Sequence, residues 1–445
     1  MASAFLGYHA AMRWVLLLGG ILGGALLLHQ PELGLLALMG VALLLPLPIG
    51  TGTAVTLNPA TLLVPMLLGL WLLTMLLRGQ IRLAPSRTTL PLMLFLVSSL
   101  LSLLVGRATW DPLVPVSNNF LLVQLAQWAI FAFSAGAFLL TANLIQNEVW
   151  LRRMTYLFLL IGGSLACFIA LPGTNALEAK LATGAVMRAP FWALLVSLAG
   201  GQVLFHKEAS LLWRGFLIAV ILAALYFGFV LFRESSSTWM GIGVALGALI
   251  WLRWPRLRWP MMAIVVLLTI SGALSQTVYE FAGGDEAWKL TGGSRLVLIQ
   301  RVVEVSMRNP IMGLGPAAYR PYADIKPLHY MGAYWMDPKV NSHNNYVDLF
   351  AHGGLVGLAF FFWFVAALAR LGWQLHHRFQ SGFAAGYVNA MLAAGAASLT
   401  LMLLADWLLP FVYNIGFVGF QASVLVWLFL GGLVALDNLQ DETLT

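Results

Sequence analysis

The segment around His343 is the part of the sequence whose residue types and spacing could support acid–base chemistry. His343 lies in the run Asn-Ser-His-Asn-Asn-Tyr-Val-Asp over residues 341–348, directly before an apolar stretch that contains three glycines. We expect Asn341 or Ser342 to cap a helix here, which would place His343 in the first turn. The positive end of a helix disfavours imidazolium, and a neutral imidazole can accept a proton. The position therefore suits a general base, although an interfacial histidine bonded to a loop carbonyl would have the same pattern.

Arg295 begins a second segment of chemical interest, because the planar fork of an arginine binds carboxylates and phosphates. A helix is predicted over 295–308 from an apolar stripe at helical spacing, formed by Leu296, Ile299, Val303 and Met307. Arg301 and Arg308 lie on another face, where Glu304 can pair with both, so we expect these two arginines to be solvated or paired. Arg295 lies off that charged face and is left for a ligand.

A glycine-containing segment follows this helix, with Gly313 and Gly315 inside residues 310–319. Glycines permit tight turns and a close approach of the backbone to another group. The backbone amides of the segment could therefore cradle a phosphate.

The composition indicates that membrane helices position these residues. The chain has 445 residues, of which 60% are hydrophobic and 9% are charged, against about 25% charged in an ordinary soluble domain. So little charge cannot cover a soluble surface, and the composition also excludes a disordered chain and a fibrous repeat. The single cysteine, Cys167, excludes a disulfide within the chain and a cysteine-based metal site.

Thirteen apolar runs are candidates for membrane-spanning helices, which need about 20 residues each. They lie near 13–28, 33–49, 59–77, 89–106, 120–145, 154–172, 187–205, 214–232, 238–252, 259–275, 353–371, 384–408 and 412–436. The first three are crowded and the second is short, so we predict twelve full spans and both chain ends in the cytoplasm. The sequence thus predicts an all-α polytopic membrane protein. Its parts are N-terminal helices over 1–275, a large outer loop with short helices over 276–352, and C-terminal helices with a short tail over 353–445.

Basic residues in the short loops predict the orientation. Twelve lie in one set of alternate loops: Arg78, Arg82, Arg87, Arg152, Arg153, Lys207, Arg214, Arg253, Arg256, Arg258, Arg370 and Arg378. Four lie in the other set: Arg107, Lys180, Arg188 and Arg233. We therefore expect the first set in the cytoplasm and the loop 276–352 outside.

Two of the four outer residues are candidates for binding an anion. Arg188 lies at the predicted start of a span, where a cation opposes the helix macrodipole, and Arg233 lies at the outer end of another span. A snorkelling arginine would also explain each position. The functional alternative is a site for an anion that reaches the outer leaflet.

Several chemistries lack their sequence signatures. There is no Gly-x-x-x-x-Gly-Lys-[Ser/Thr] loop, no Asp-x-Asp and no His-Glu-x-x-His, so nucleotide and metal sites of these kinds are not expected. Acidic residues within the runs are nearly absent, with Asp406 as the exception, which argues against a pump built on buried carboxylates. The net charge of +7 is explained by the cytoplasmic loops and does not indicate a nucleic-acid partner.

Two stretches together resemble the bacterial O-antigen ligase/polymerase superfamily. The first is Arg295 followed by Asn309-Pro310-x-x-Gly313-x-Gly315-x-x-x-Tyr319, and the second is His343-Asn344 with Gly354-x-x-Gly357. The resemblance is strongest over about 230–360 and includes the large loop between late spans.

The resemblance implies glycan transfer from an undecaprenyl diphosphate carrier in the periplasmic leaflet of a Gram-negative inner membrane. A ligase of this superfamily passes the O-antigen to the lipid A–core oligosaccharide. The implied enzyme is an inverting glycosyltransferase with a GT-C-type fold that needs no metal and no other cofactor. Outward arginines fit this expectation, because a diphosphate leaving group needs cations.

The resemblance also implies roles for particular residues. We expect His343 to accept the proton of the acceptor hydroxyl and Arg295 to neutralise the departing diphosphate, with help from Arg233 and Arg188. We expect a second group to contact the diphosphate or the glycan, namely Tyr319, Asn344 and Asn345.

Three other functions remain open at the level of sequence. An O-antigen polymerase would use the same donor and a second lipid-linked glycan as acceptor. A protein O-oligosaccharyltransferase would use a protein acceptor. A lipid-linked glycan transporter or flippase would perform no chemistry and would need no positioned base.

Overall fold

The computed structural model describes residues 23–24, 26–52, 55–80, 82–173, 184–272, 295–324, 328–330, 333–336 and 341–441. Most of the first apolar run, Lys180, and residues 276–294 of the predicted outer loop lie outside the described residues.

Helices make up most of the described chain. The first half contains α1 (Glu32–Leu44), α2 (Pro59–Leu77), α3 (Thr89–Ala108), α4 (Phe120–Leu144), α5 (Glu148–Ile169), α6 (Ala189–Phe205) and α7 (Leu211–Tyr226), which continues as a π-helical turn over Phe227–Leu231. The second half contains α8 (Ser236–Arg253), α9 (Arg258–Ile270), α10 (Arg295–Ser306), α11 (Tyr319–Asp324), α12 (Asn345–Arg378), α13 (Gly382–Leu404) and α14 (Gly416–Asp441). Two short antiparallel pairs complete it, β1 (Ile49–Gly50) with β2 (Thr56–Leu57) and β3 (Leu328–Tyr330) with β4 (Ala333–Met336).

Eight of the described helices are long and apolar enough to cross a membrane, which makes the chain a polytopic helical membrane protein. They are α2, α3, α4, α5, α7 with its π-helical turn, α12, α13 and α14. Helices α1 and α6 are apolar but shorter. The predicted run 59–77 coincides with α2 at both ends. The count of twelve spans stays a prediction.

Local sequence explains where several of these helices begin. The Asn58 side chain accepts a hydrogen bond from the Thr61 amide at 3.0 Å, and Pro59 occupies the first helical position of α2. In the same way, Asn147 accepts from the Trp150 amide at 3.2 Å at the start of α5, whose first turn carries Glu148. These caps satisfy amides that a helix leaves without an internal partner.

Helix α14 lies at the centre of the bundle, and 94% of the most apolar segment of this helix is buried. It packs against α4 so closely that a Cβ at Gly431 would collide with the Phe138 carbonyl. Helices α6 and α13 cross in the same manner at Gly201 and Gly386. Small residues at crossings are typical of membrane bundles, because they allow two backbones to approach.

Helix α10 forms where it was predicted, but its buried face differs from the expected one. Leu298, Val302 and Val305 are buried, whereas Met307 of the predicted stripe is 58% exposed. The prediction of the stripe was wrong because several hydrophobic residues of this helix could form an apolar face. Contact with α12 and α11 decides which face is covered.

Candidate functional site

The start of α12 organises the site, and its cap is not the one predicted. Asn344 is the N-cap, with its side-chain oxygen accepting from the Tyr346 amide at 3.0 Å and the Val347 amide at 3.2 Å. His343 therefore precedes the helix instead of lying in its first turn, and its backbone is left-handed with φ 50°. The prediction of Asn341 or Ser342 as cap was wrong because three neighbouring residues are all good capping types. A left-handed non-glycine residue is strained, so the surrounding bonds must hold it in place.

A buried polar cluster lies behind His343. The Ser342 hydroxyl donates to Asp348 Oδ1 at 2.7 Å, and the Tyr319 hydroxyl donates to the same oxygen at 3.4 Å. Asp348 and Tyr319 are each 2% exposed. Within the described residues Asp348 Oδ2 has no hydrogen-bond partner. Burial, then the nearby Asp348 carboxylate, raises the pKa of Tyr319 well above its ordinary value, so the phenol remains a donor.

Asn345 fastens the loop between α13 and α14 to the start of α12. Its side-chain oxygen accepts from the Leu408 and Leu409 amides, both at 3.1 Å, and its amide donates to the Leu409 carbonyl at 2.8 Å. Gln127 of α4 holds the same loop from the other side, accepting from the Val412 amide at 2.7 Å. The loop is thus bound to two helices that are distant in sequence.

Asp406 lies inside this loop and is fully buried. Its carboxylate accepts from the Phe411 amide at 2.6 Å and from the Asn414 side chain. Burial raises the pKa of Asp406 to about 6, while these hydrogen bonds act in the opposite direction. The sequence marked this residue as an exception among the apolar runs, but it could not indicate that Asp406 belongs to the loop held by Asn345.

The Asn309–Tyr319 segment is bonded to a break in α12. At Gly354 the backbone leaves the helical region (φ 62°, ψ −162°), so nearby amides and carbonyls lose their helical partners. The Leu355 amide donates to the Pro310 carbonyl at 2.9 Å, and the Val356 amide donates to the Ile311 carbonyl at 3.1 Å. A Cβ at Gly354 would collide with that Ile311 carbonyl. This close approach gives a physical reason for glycine here.

The amides of this segment are used inside the protein, so the predicted phosphate cradle is wrong for them. The amides of Met312, Gly313 and Ala318 donate within the segment, to the Asn309 side chain, the Asn309 carbonyl and the Gly315 carbonyl. The Leu314 amide donates to the Ala351 carbonyl at 2.9 Å. A fifth amide, that of Ala317, is bonded to His352. None of these five amides is therefore free to bind an anion.

The Ala317 amide donates to Nδ1 of His352 at 3.1 Å. The His352 ring is 2% exposed, lies 5.3 Å from the Phe411 ring between centroids, and has no partner for Nε2 among the described residues. The Ser102 hydroxyl of α3 donates to the His352 carbonyl. His352 therefore ties three elements together, and it is too enclosed to meet a substrate without a rearrangement.

Of the three predicted cations, the structure describes the side chains of Arg188 and Arg233, and these two make no described contact with the cluster. Arg188 precedes α6 and is partly buried, with no hydrogen-bond partner for Nε among the described residues. Arg233 is exposed, and its carbonyl accepts from the Trp239 indole at 3.0 Å. Arg295 is the first residue of α10, and its side chain lies outside the described residues. The structure places His343 and Asn344 beside Ser342, which shares the Asp348 carboxylate with Tyr319, and Asn345 follows at the start of α12. Among the described residues, neither Arg188 nor Arg233 forms a hydrogen bond or an ion pair with this cluster.

Arg301 of α10 and Arg308, which follows this helix, are both paired, although not as predicted. Arg301 pairs with Glu304 at 3.2 Å and is 8% exposed, so it is buried and not solvated. Arg308 pairs instead with Asp111 at 2.8 Å and lies over the Tyr322 ring, 5.0 Å from its centroid. The hydrogen bonds from the Leu113 amide and from Arg308 lower the pKa of Asp111. Glu304 could not pair with both arginines because the connection after α3 brings a second carboxylate to Arg308.

Among the residues that the structure describes, no group of three or more His, Cys, Asp or Glu side chains could hold a metal ion.

Comparison with known proteins agrees with the resemblance noted in the sequence. Residues 218–362, about a third of the chain, match the family model described as O-antigen ligase. The match runs from α7 into α12 and includes Arg233, Arg295, Tyr319 and His343. No curated protein matches the chain. The match supports the superfamily expected from the sequence, over the part of the chain where the resemblance was strongest.

Proposed function

We propose that this chain is a ligase of the O-antigen ligase and polymerase family, whose model it matches over residues 218–362. The reaction is transfer of the O-antigen glycan from undecaprenyl diphosphate to the lipid A–core oligosaccharide, in the periplasmic leaflet of the inner membrane. The enzyme is an inverting glycosyltransferase with twelve spans and a GT-C-type fold that works without metal. The observation that carries this proposal is the position of His343, held at the start of α12 by a bonded network inside the family region.

His343 is the general base in this proposal. Its imidazole takes the proton from the acceptor hydroxyl while the hydroxyl oxygen bonds to the anomeric carbon of the donor sugar. The bond from that carbon to the diphosphate oxygen breaks, and its electron pair leaves with the diphosphate. Attack from the face opposite the leaving group inverts the carbon. The imidazolium then releases its proton to water.

The surroundings of His343 favour this role. The residue precedes the N-terminus of a long helix, whose partial positive charge favours the neutral imidazole before the reaction. The Asn344 amide donates to the Ser342 hydroxyl at 3.1 Å, and this bond between the two neighbours of His343 helps to keep its left-handed backbone in place. A base held in place contributes about 10²–10⁴-fold to a rate.

The cations complete the proposal. Arg295, with Arg233 and Arg188 as helpers, neutralises the diphosphate as it leaves, and each such contact contributes roughly 3–4 kcal/mol. We assign contact with the diphosphate or the glycan to three residues near the start of α12, namely Asn344, Asn345 and Tyr319. Because Asn345 and Tyr319 are almost fully buried, their direct contact with the substrate would require the loop between α13 and α14 to move. In the closed arrangement they position His343.

The test uses the purified full-length protein, a lipid-diphosphate glycan and either lipid A–core or a second lipid-linked glycan, with products separated on a gel. We expect glycan joined to lipid A–core, and a fall of at least about 100-fold for His343→Ala. His343→Gln should fall similarly, since glutamine keeps a hydrogen bond but cannot take a proton at neutral pH. His377→Ala, an exposed histidine at the far end of α12, is the matched control.

Each other outcome rejects a stated part of the proposal. Lengthened lipid-linked glycan with no transfer to lipid A–core identifies a polymerase. Near-normal transfer by His343→Gln makes His343 a positioning residue. The absence of any joined product, with donor lipid moved across vesicles, identifies a transporter.

A further inference from the structure

A groove at the other end of α12 has no part in the proposed reaction. It has a volume of about 700 Å³ and opens between the residues before α3, the later half of α12 and the end of α14. Helix α3 reaches the site with Gly106, which packs against Leu314, and reaches the groove with Leu90. Gly106 follows Leu90 by sixteen positions, which corresponds to about 24 Å along the helix. The groove is therefore a separate surface.

Two arginines line this groove and have no partner within the described chain. Arg87 and Arg370 are exposed and form no hydrogen bond or ion pair with a described residue. Asp437 also lines the groove, but its carboxylate pairs with Arg378 at 3.3 Å. Two guanidinium groups that line one groove, beside a carboxylate that is paired with a third arginine, favour a ligand that carries a phosphate.

The walls of the groove are apolar and belong to membrane-spanning helices. Leu90 of α3 is 58% exposed and Trp363 of α12 is 47% exposed. Trp363, Ala367 and Arg370 follow one face of α12 at i, i+4 and i+7, so the indole lies about 10 Å from the arginine along the helix. Alanines at 366 and 367 leave room between them. An occupant must therefore pass from a phosphate to an apolar chain over that distance.

We propose that this groove binds one anionic phospholipid, with its phosphate between Arg87 and Arg370 and an acyl chain along Ala367 and Trp363. A phospholipid has this order of groups, whereas free phosphate lacks the apolar part. Basic pockets at the ends of membrane helices hold such head groups. On the orientation predicted from the loop charges, the lipid belongs to the cytoplasmic leaflet.

The test measures binding of short-chain phosphatidylglycerol to the full-length protein in detergent, with phosphatidylcholine of equal chain length as the zwitterionic probe. We expect phosphatidylglycerol to bind more tightly. Arg87→Gln or Arg370→Gln should weaken it on the order of fivefold, and the double variant about 25-fold. Arg82→Gln with Arg256→Gln is the matched control, because it removes two exposed arginines of the same predicted face outside the groove.

A second variant tests the apolar wall without changing the charge. Ala367→Trp fills the groove and should abolish lipid binding while both arginines remain. The proposal is overturned if the control pair weakens binding as much as the groove pair does, because the effect is then general surface charge. It is also overturned if Ala367→Trp binds normally, or if inorganic phosphate competes as well as the lipid does. These measurements do not depend on glycan transfer.

Discussion

The two ends of α12 use polar residues in opposite ways. At its start, Ser342, Asn345 and Asp348 are buried and bonded to other protein groups. In its later half, Arg370 is exposed and has no partner among the described residues. Most polar groups of the first arrangement are bonded within the protein, whereas the second leaves a guanidinium open to its surroundings. One helix thus combines a polar cluster bonded inside the fold with an exposed cation.

The largest expected effect concerns the cation that the proposed site needs. If Arg295 binds the diphosphate through its planar fork, Arg295→Ala should lower transfer about 10²–10³-fold. Arg295→Lys should be impaired nearly as much, because a point charge cannot reproduce two parallel bonds. Rates of transfer with lipid-diphosphate donor measure this. Full rescue by lysine, or loss of activity with EDTA that one divalent ion restores, would show that the site binds its anion by another means.

The next prediction compares two side-chain amides of α12, that of Asn345 at its start and that of Gln374 near its end. Asn345→Ala leaves two buried amides and one carbonyl without partners and should lower the free energy of unfolding by about 3 kcal/mol. Gln374→Ala, at the groove, should change it by less than about 0.5 kcal/mol. Thermal unfolding in detergent measures both. Equal effects would mean that the two ends do not differ in preorganisation.

The third prediction concerns pH. The pKa of Asp406 is raised to about 6 in the folded protein, above its ordinary value near 4, so the native state binds more protons than the unfolded chain between these values. Asp406 should therefore make stability fall as the pH rises from about 4 to 6, by a contribution on the order of 1–3 kcal/mol.

Asp406→Asn should make this slope shallower, whatever its effect on absolute stability. Unfolding temperatures at pH 5 and 7 for both proteins give the measurement. A slope that persists in the variant would belong to another group.

The smallest effect is expected at the exposed ion pair. Arg308→Ala should lower stability by less than about 1 kcal/mol, since both partners are solvated. Arg301→Ala should lower the stability more than Arg308→Ala does, because the Arg301 side chain is buried. Unfolding of the two variants side by side checks the order. A larger loss at Arg308 would show that the Asp111 contact helps to hold α10 against α3.

Some parts of the site could be predicted from the sequence, and others could not. The glycine spacing and the His343-Asn344 pair identified the family region, because close backbone approach restricts residue types. The caps could not be chosen, since Asn341, Ser342 and Asn344 are equally suitable by type. The hydrogen bonds from Asn345 to the loop between α13 and α14 join residues about 60 positions apart, and local patterns carry no information about such a pair.

Composition and apolar runs were enough to predict the membrane class and most helix positions, because hydrophobicity acts along consecutive residues. The residue types also pointed to the chemically unusual positions, His343 and Asp406 among them. The buried face of α10, the break in α12 and the use of the backbone amides became known from the folded structure. Those features depend on partners supplied by distant segments: Leu314 to Ala351, Ser102 to His352, and Asp111 to Arg308. A hydrogen bond of this kind exists only once the fold has brought both groups within about 3 Å.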